Sequence, residues 1–307
     1  MNRLRILPLI AALAAGSLTL TACDVSPYAA VVNGNTISVN SLTSQLAAFS
    51  SNKTFVQEFN QSEASQAQQS GSQPVTVAGS GGAGTYSSAF VARVLGLFIQ
   101  TTAIHQYLEA HGKQATPNQV LAARAVQEIS YGPVWNQFPS SIQNIFVEQL
   151  ADFGALTQAP SDVSSLQNPY SQLQPYLFSS ICVDRASAFN QDAARAIASS
   201  GSLGGVQTCY SQTDVERQSP QLQSALRGLT TVGQVSDPVR TSYGYEVLKL
   251  VSRDAPGLTP GVASVIVAYS NPPQDAQSIV TSAHVKVNPR YGSWVNGQVN
   301  PPATLNS

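Results

Sequence analysis

Charge is scarce in this chain of 307 residues: Asp, Glu, Lys and Arg make up 10% of it, and the formal net charge is −1. A protein that neutralises nucleic-acid phosphates needs a basic patch, and none is present, so no nucleic-acid partner is expected. Cysteine and histidine are scarce too, three of each. His105, His111 and His284 lie far along the chain from Cys182 and Cys209, no CxxC or HxxxH spacing occurs, and no metal or cofactor is expected. The glycine-rich run Gly79 to Gly84 is not a phosphate loop, because no Lys-Ser/Thr follows it. Past the N-terminus no apolar run approaches the roughly 18 residues of a membrane span.

What is present begins with Arg3 and Arg5, followed by an apolar stretch from Ile6 to Leu20 that Pro8 and Gly16 interrupt. That pattern is a signal segment. Leu20-Thr21-Ala22-Cys23 resembles the lipobox of bacterial lipoproteins, which implies a signal peptide over residues 1–22 and lipid on Cys23. The mature chain is then expected at the extracytoplasmic face of the cell membrane, held by its lipid anchor. A plain secretory signal is the alternative, and it too exports the protein. Without residues 1–22 the chain carries 13 basic and 16 acidic residues. Cys182 and Cys209 remain as a pair in a compartment where disulfides persist, and joining them is expected to add about 3 to 4 kcal/mol.

The order of local signals predicts an α+β protein. Asn33-Gly34 sits between two β-prone pieces, and a helix is expected through Ser41 to Leu46. Residues 57–84, rich in Gln, Ser, Gly and Ala, read as a flexible insertion. Phe90, Val94, Leu97, Phe98, Thr101, Ile104 and Leu108 have helical spacing up to His111-Gly112. Thr116-Pro117-Asn118-Gln119 opens another helix with a capping box, its apolar face expected from Val120, Leu121, Val126 and Ile129. Ile142, Ile145, Phe146, Leu150 and Phe153 mark a third. A mostly helical domain is therefore expected over 23–160, then a linker over 161–175 and a small antiparallel-sheet domain over 176–254. In the latter a strand is expected at 176–183, helices at 187–199 and 221–229, and strands at 235–239 and 243–251. The segment 255–307 is expected to hold a helix or strand near 262–268, a strand at 284–287 and a frayed end, and it is a candidate to pack on the helical domain.

The run Gly233-Gln234-Val235-Ser236-Asp237-Pro238-Val239-Arg240-Thr241-Ser242-Tyr243-Gly244-Tyr245, after strand, helix, Gly-Gly and helix, resembles the parvulin-type peptidyl-prolyl isomerase domain. The Ala-Val-Val-Asn-Gly segment from Ala30 with the helices after it, and Val287 to Trp294 near the end, resemble the exported SurA and PrsA foldases, which flank parvulin domains with helical chaperone segments. The resemblance implies a membrane-anchored extracytoplasmic chaperone whose partners are unfolded or newly exported polypeptides. It also implies a pocket that this chain alters. The two family histidines are replaced by Ser180 and Glu246, and the aromatic floor by Leu222. Glu246 is expected to face solvent at the edge of the last strand. Isomerase catalysis is therefore expected to be degenerate, the alternatives being an active peptidyl-prolyl isomerase and a non-catalytic envelope scaffold.

Overall fold

A computed structural model describes residues 28–81 and 84–302; the expected signal segment and Cys23 lie outside them. The chain forms two compact units and passes between them four times. Unit 1 holds residues up to 114, 130–156 and 272 onward, and unit 2 holds 115–129 and 157–271. The expected boundaries at 160 and 255 are thus corrected. Residues 115–129, which hold most of one helix, join the later unit, and the C-terminal segment divides at 271/272.

Unit 1 starts with the hairpin of β1 (Tyr28–Val32) and β2 (Asn35–Ser38). Asn33 and Gly34 both take positive φ, 47° and 93°, as a two-residue turn between twisted strands requires. The other edge of β1 is covered by β7 (Val285–Val287), giving the order β2-β1-β7. The Ser38 side chain caps α1 (Val39–Ser51), and Asn52 caps α2 (Lys53–Ser70), which ends at Gly71 in the left-handed conformation. Helix α2 corrects the flexible insertion expected from 57. Its buried stripe, Phe55, Phe59, Glu63 and Ala67, recurs every four residues, and Arg93 pairs with Glu63 at 2.5 Å, so a carboxylate can lie in that stripe.

Helix α3 (Ser88–Ala110) stops where Gly112 takes φ 62°. By length and composition it could cross a membrane. Here Phe90, Leu95, Ile99, Ile104 and Leu108 are buried in the core, with α3 packed against α5 (Ser140–Leu156) and α11 (Gln274–Ser282). The core is rich in rings: Phe49 lies 5.4 to 6.3 Å from Phe55, Phe90, Phe138 and Phe146. The end expected to fray instead forms a hairpin, β8 (Ser293–Val295) with β9 (Gln298–Asn300). Asn296 and Gly297 make its turn with positive φ, and Gln100 donates to the Gly297 carbonyl at 3.3 Å.

Unit 2 takes most of α4 (Pro117–Tyr131). Thr116 and Gln119 exchange hydrogen bonds as a capping box. The expected apolar face is wrong in part: Val120 and Ile129 are exposed, whereas Ala122, Ala123, Ala125, Val126, Gln119 and Glu128 are buried. Small side chains let neighbours approach closely, and the buried polar ones have partners. Gln119 donates to Ser264 at 3.1 Å on α10 (Pro260–Ser270), and Glu128 pairs with Arg227 and accepts from Gln212 at 3.4 Å. Burial pushes the Glu128 carboxyl up to about 7 although Arg227 pulls it back. The expected linker also contains α6 (Gln167–Leu173), with Leu173 buried and the Tyr170 hydroxyl donating to the Pro256 carbonyl at 3.1 Å.

Its sheet has the order β4-β3-β6-β5, antiparallel throughout: β3 (Ser180–Ala188), β4 (Val206–Ser211), β5 (Val239–Thr241) and β6 (Gly244–Asp254). Between strands run α7 (Gln191–Ser200), α8 (Gln212–Glu216) and α9 (Pro220–Gly228). Ile181, Val183, Leu248 and Leu250 form one core with Leu222, Leu226 and Val215. Cys182 and Cys209, directly opposite in register, are joined by a disulfide.

Candidate functional site

The three positions expected to form the altered pocket do not converge. Strand β3 runs to Ala188, five residues beyond the strand expected from sequence, so its pairing with β6 sets Ser180 against Asp254 and Glu246 against Ser187. Seven residues of strand separate the two, about 23 Å at the usual rise. Leu222 lies in the core beneath the sheet, buried with Ile181 and Leu226.

Glu246 is met instead by Arg185. Residues two apart on a strand share a face, so Ile181 and Val183 place Arg185 on the core side of β3, as Leu248 and Leu250 do Glu246 on β6. One Arg185 terminal nitrogen donates to both Glu246 oxygens at 2.7 Å, and the other to the Tyr210 hydroxyl at 2.8 Å. The Glu246 side chain is 14% exposed and that of Arg185 32%, which corrects the solvent-facing expectation for Glu246. Burial works against the Arg185 charge, yet the bonds to Glu246 and Tyr210 outweigh it and raise its affinity for the proton. Burial also raises the Tyr210 phenol, with Glu246 adding to the shift and Arg185 opposing it. Both shifts keep Arg185 charged and the Tyr210 phenol protonated at neutral pH.

Sequence reasoning missed Arg185 because its role depends on register. The available signal was the alternation Ile181, Val183, Arg185, which places a cation on a buried face where an anion must answer it.

Three apolar side chains near this end of the sheet are exposed. Phe189, just past β3, is 97% exposed, and Tyr243, in the β5–β6 turn, is 91% exposed. They share one end of the sheet, since Ala188 pairs with Tyr245 and a side chain at Gly244 would stand 3.4 Å from the Phe189 Cα. Val206, also exposed, is the β4 residue opposite Arg185. Exposed aromatics of this size at the end of a sheet suit an extended apolar chain. Unit 1 has a cavity of about 370 Å³ lined by Tyr107, Lys113, Leu156, Asp275, Ile279 and Ser282.

No family model and no curated protein sequence matches the chain. Among solved structures it is similar to one described with PEB4 and Cj1289 as SurA-like chaperones of Campylobacter jejuni, at 16% identity over 86% of this chain and 99% of that one, with a TM-score of 0.23. It is similar to a peptidylprolyl isomerase, PrsA, of Bacillus cereus at 15% identity over 62% of this chain and 81% of that one, TM-score 0.21. PrsA of Bacillus subtilis gives 12% identity over 64% and 85%, TM-score 0.23. Likenesses with TM-scores this low carry no argument about this chain's activity.

Proposed function

We propose that the chain is an extracytoplasmic foldase of the chaperone kind, tethered through lipid on Cys23, in which unit 2 holds unfolded exported chains without isomerising their prolyl bonds. The observation that carries this reading is the Arg185–Glu246 pair with its exposed aromatic rim. An X-Pro bond rotates over a barrier of about 20 kcal/mol, and an isomerase must favour the twisted amide over the planar one. Groups aimed at the reacting amide do that work. In this chain Arg185 donates to Glu246 and Tyr210, and Glu246 accepts Arg185 on both oxygens, so the two groups are held against each other and not aimed at an amide. Phe189, Tyr243 and Val206 are free to stack on or pack against apolar side chains of a client.

Two measurements test this. The mature protein should slow the aggregation of an unfolded exported client, and Phe189→Ala with Tyr243→Ala should weaken client binding by roughly tenfold, a loss near 1.4 kcal/mol for two exposed anchors. The same protein should leave the cis to trans rate of an X-Pro test peptide unchanged even at equimolar concentration; acceleration would establish the isomerase reading in its place. Cys23→Ser should move the protein from the membrane fraction to the soluble extracytoplasmic fraction.

A further inference from the structure

The strongest unassigned chemistry lies in unit 1, away from the residues discussed above. His105 sits on α3, and Glu148 and Asp152 sit four residues apart on the facing side of α5, so both carboxylates project toward one imidazole. The His105 Nδ1 atom is 3.1 Å from Asp152 Oδ2 and 3.2 Å from Glu148 Oε1. All three donor atoms lie within 4.8 Å of one another. Asp152 is buried, its side chain 3% exposed, while His105 and Glu148 are each 44% exposed and leave one side of the cluster open to water.

We propose that His105, Glu148 and Asp152 form a binding site for one divalent transition-metal ion of the zinc class. Nδ1 carries at most one hydrogen for the two carboxylate oxygens that approach it, so one of them lacks a donor of its own there. A dication answers all three donors at once. With bonds of about 2.0 to 2.2 Å, tetrahedral donors stand roughly 3.3 to 3.6 Å apart; the 3.1 and 3.2 Å from Nδ1 are close to this, and the two carboxylate oxygens, within 4.8 Å of one another, would draw to the same spacing. One imidazole nitrogen and two carboxylate oxygens suit Zn²⁺ and its neighbours; Ca²⁺ prefers six to eight oxygens, and Cu(I) prefers sulfur. The open side supplies water as the remaining ligand. Because the ligands come from two helices, the ion would clamp α3 to α5. The proposal is independent of the foldase reading.

Calorimetric titration of the chelator-treated, full mature protein with Zn²⁺ should give one site per chain, and Ca²⁺ or Mg²⁺ at the same concentrations should give none. Asp152→Asn and His105→Ala should each weaken Zn²⁺ binding by more than about tenfold, a ligand counting for at least as much as an outer-shell partner. Glu148→Gln is a near-isosteric change at a half-exposed position, so it tests the site even where the buried change unfolds the protein. His111→Ala, on the same helix end but outside the cluster, should bind as the parent does. Co²⁺ in the parent should give visible absorption bands that Glu148→Gln loses. Failure of the parent to bind Zn²⁺ stoichiometrically, or unchanged binding in Glu148→Gln, overturns the proposal, and weakened binding in His111→Ala assigns the ion to another site.

Discussion

In unit 1 Phe49 packs against four other phenylalanines and Trp135 is fully buried, while in unit 2 the buried contacts that most distinguish the core are ionic. There Glu128 pairs with Arg227, Arg124 with Glu216 at 3.6 Å, and Arg185 with Glu246, around a sheet core of Ile, Val and Leu. Ring packing depends on shape and is indifferent to pH. A buried ion pair depends on both partners and on protonation, because either charge left alone must bear its desolvation. Unit 1 also holds the Arg93–Glu63 pair and the buried Asp152, so the two units differ in the balance of these forces: rings dominate around Phe49, ion pairs around Glu128.

That contrast can be broken by experiment, taking the largest expected effect first. Arg227→Met should destabilise the protein by about 3 to 5 kcal/mol at pH 8, leaving Glu128 buried and unpaired, and the loss should shrink toward pH 5 as the carboxyl protonates; urea unfolding at both pH values measures it. Phe49→Ala should cost about 3 to 5 kcal/mol too, with no change between those pH values. Equal pH responses in the two variants would erase the distinction. Replacing Cys182 and Cys209 by serine should cost about 3 kcal/mol and raise hydrogen exchange in β3 and β4.

A smaller effect belongs to the unaltered protein. Glu128 at about 7, against an ordinary 4.5, binds its proton more tightly folded than unfolded, so its contribution is fully present below pH 4.5 and is lost as pH rises through 7. Asp152, raised by burial to about 6 from 3.8, has the same sign. Stability of the chelator-treated protein should therefore increase on acidification from pH 7.5 to 5, and a melting temperature that falls over that range would contradict both assignments. Thr116→Ala, removing half of a capping box, should cost about 1 kcal/mol.

How much was legible varies by element for physical reasons. The Asn33-Gly34 turn, the Thr116 cap and the Gly112 stop were readable because each is settled within a few residues by backbone sterics and local hydrogen bonds. Helix α2 was hidden by its composition: the stripe Phe55, Phe59, Glu63, Ala67 includes a carboxylate that belongs to a buried face only because Arg93, thirty residues later, meets it. The polar C-terminal hairpin was hidden for a similar reason, since its order comes from contacts with α3 such as Gln100 to Gly297. In the candidate site the residue types were visible and their pairing was not. The pairing of β3 with β6 sets Ser180 opposite Asp254, and Arg185, two residues before the partner of Glu246 on the same face, meets that carboxylate.

By itself the sequence determined the α+β class, the positions of the strongly periodic helices, the caps and turns, and the one possible cysteine pair within residues 28–302. Those features follow from short-range sterics, from apolar periodicity and from counting. Tertiary structure alone decided which unit takes the helix at 117–129, which strand covers β1, which cation answers Glu246 and which imidazole faces Glu148 and Asp152. Each of these is a contact between residues tens to hundreds of positions apart, fixed by strand register and helix packing, and no local pattern carries that information.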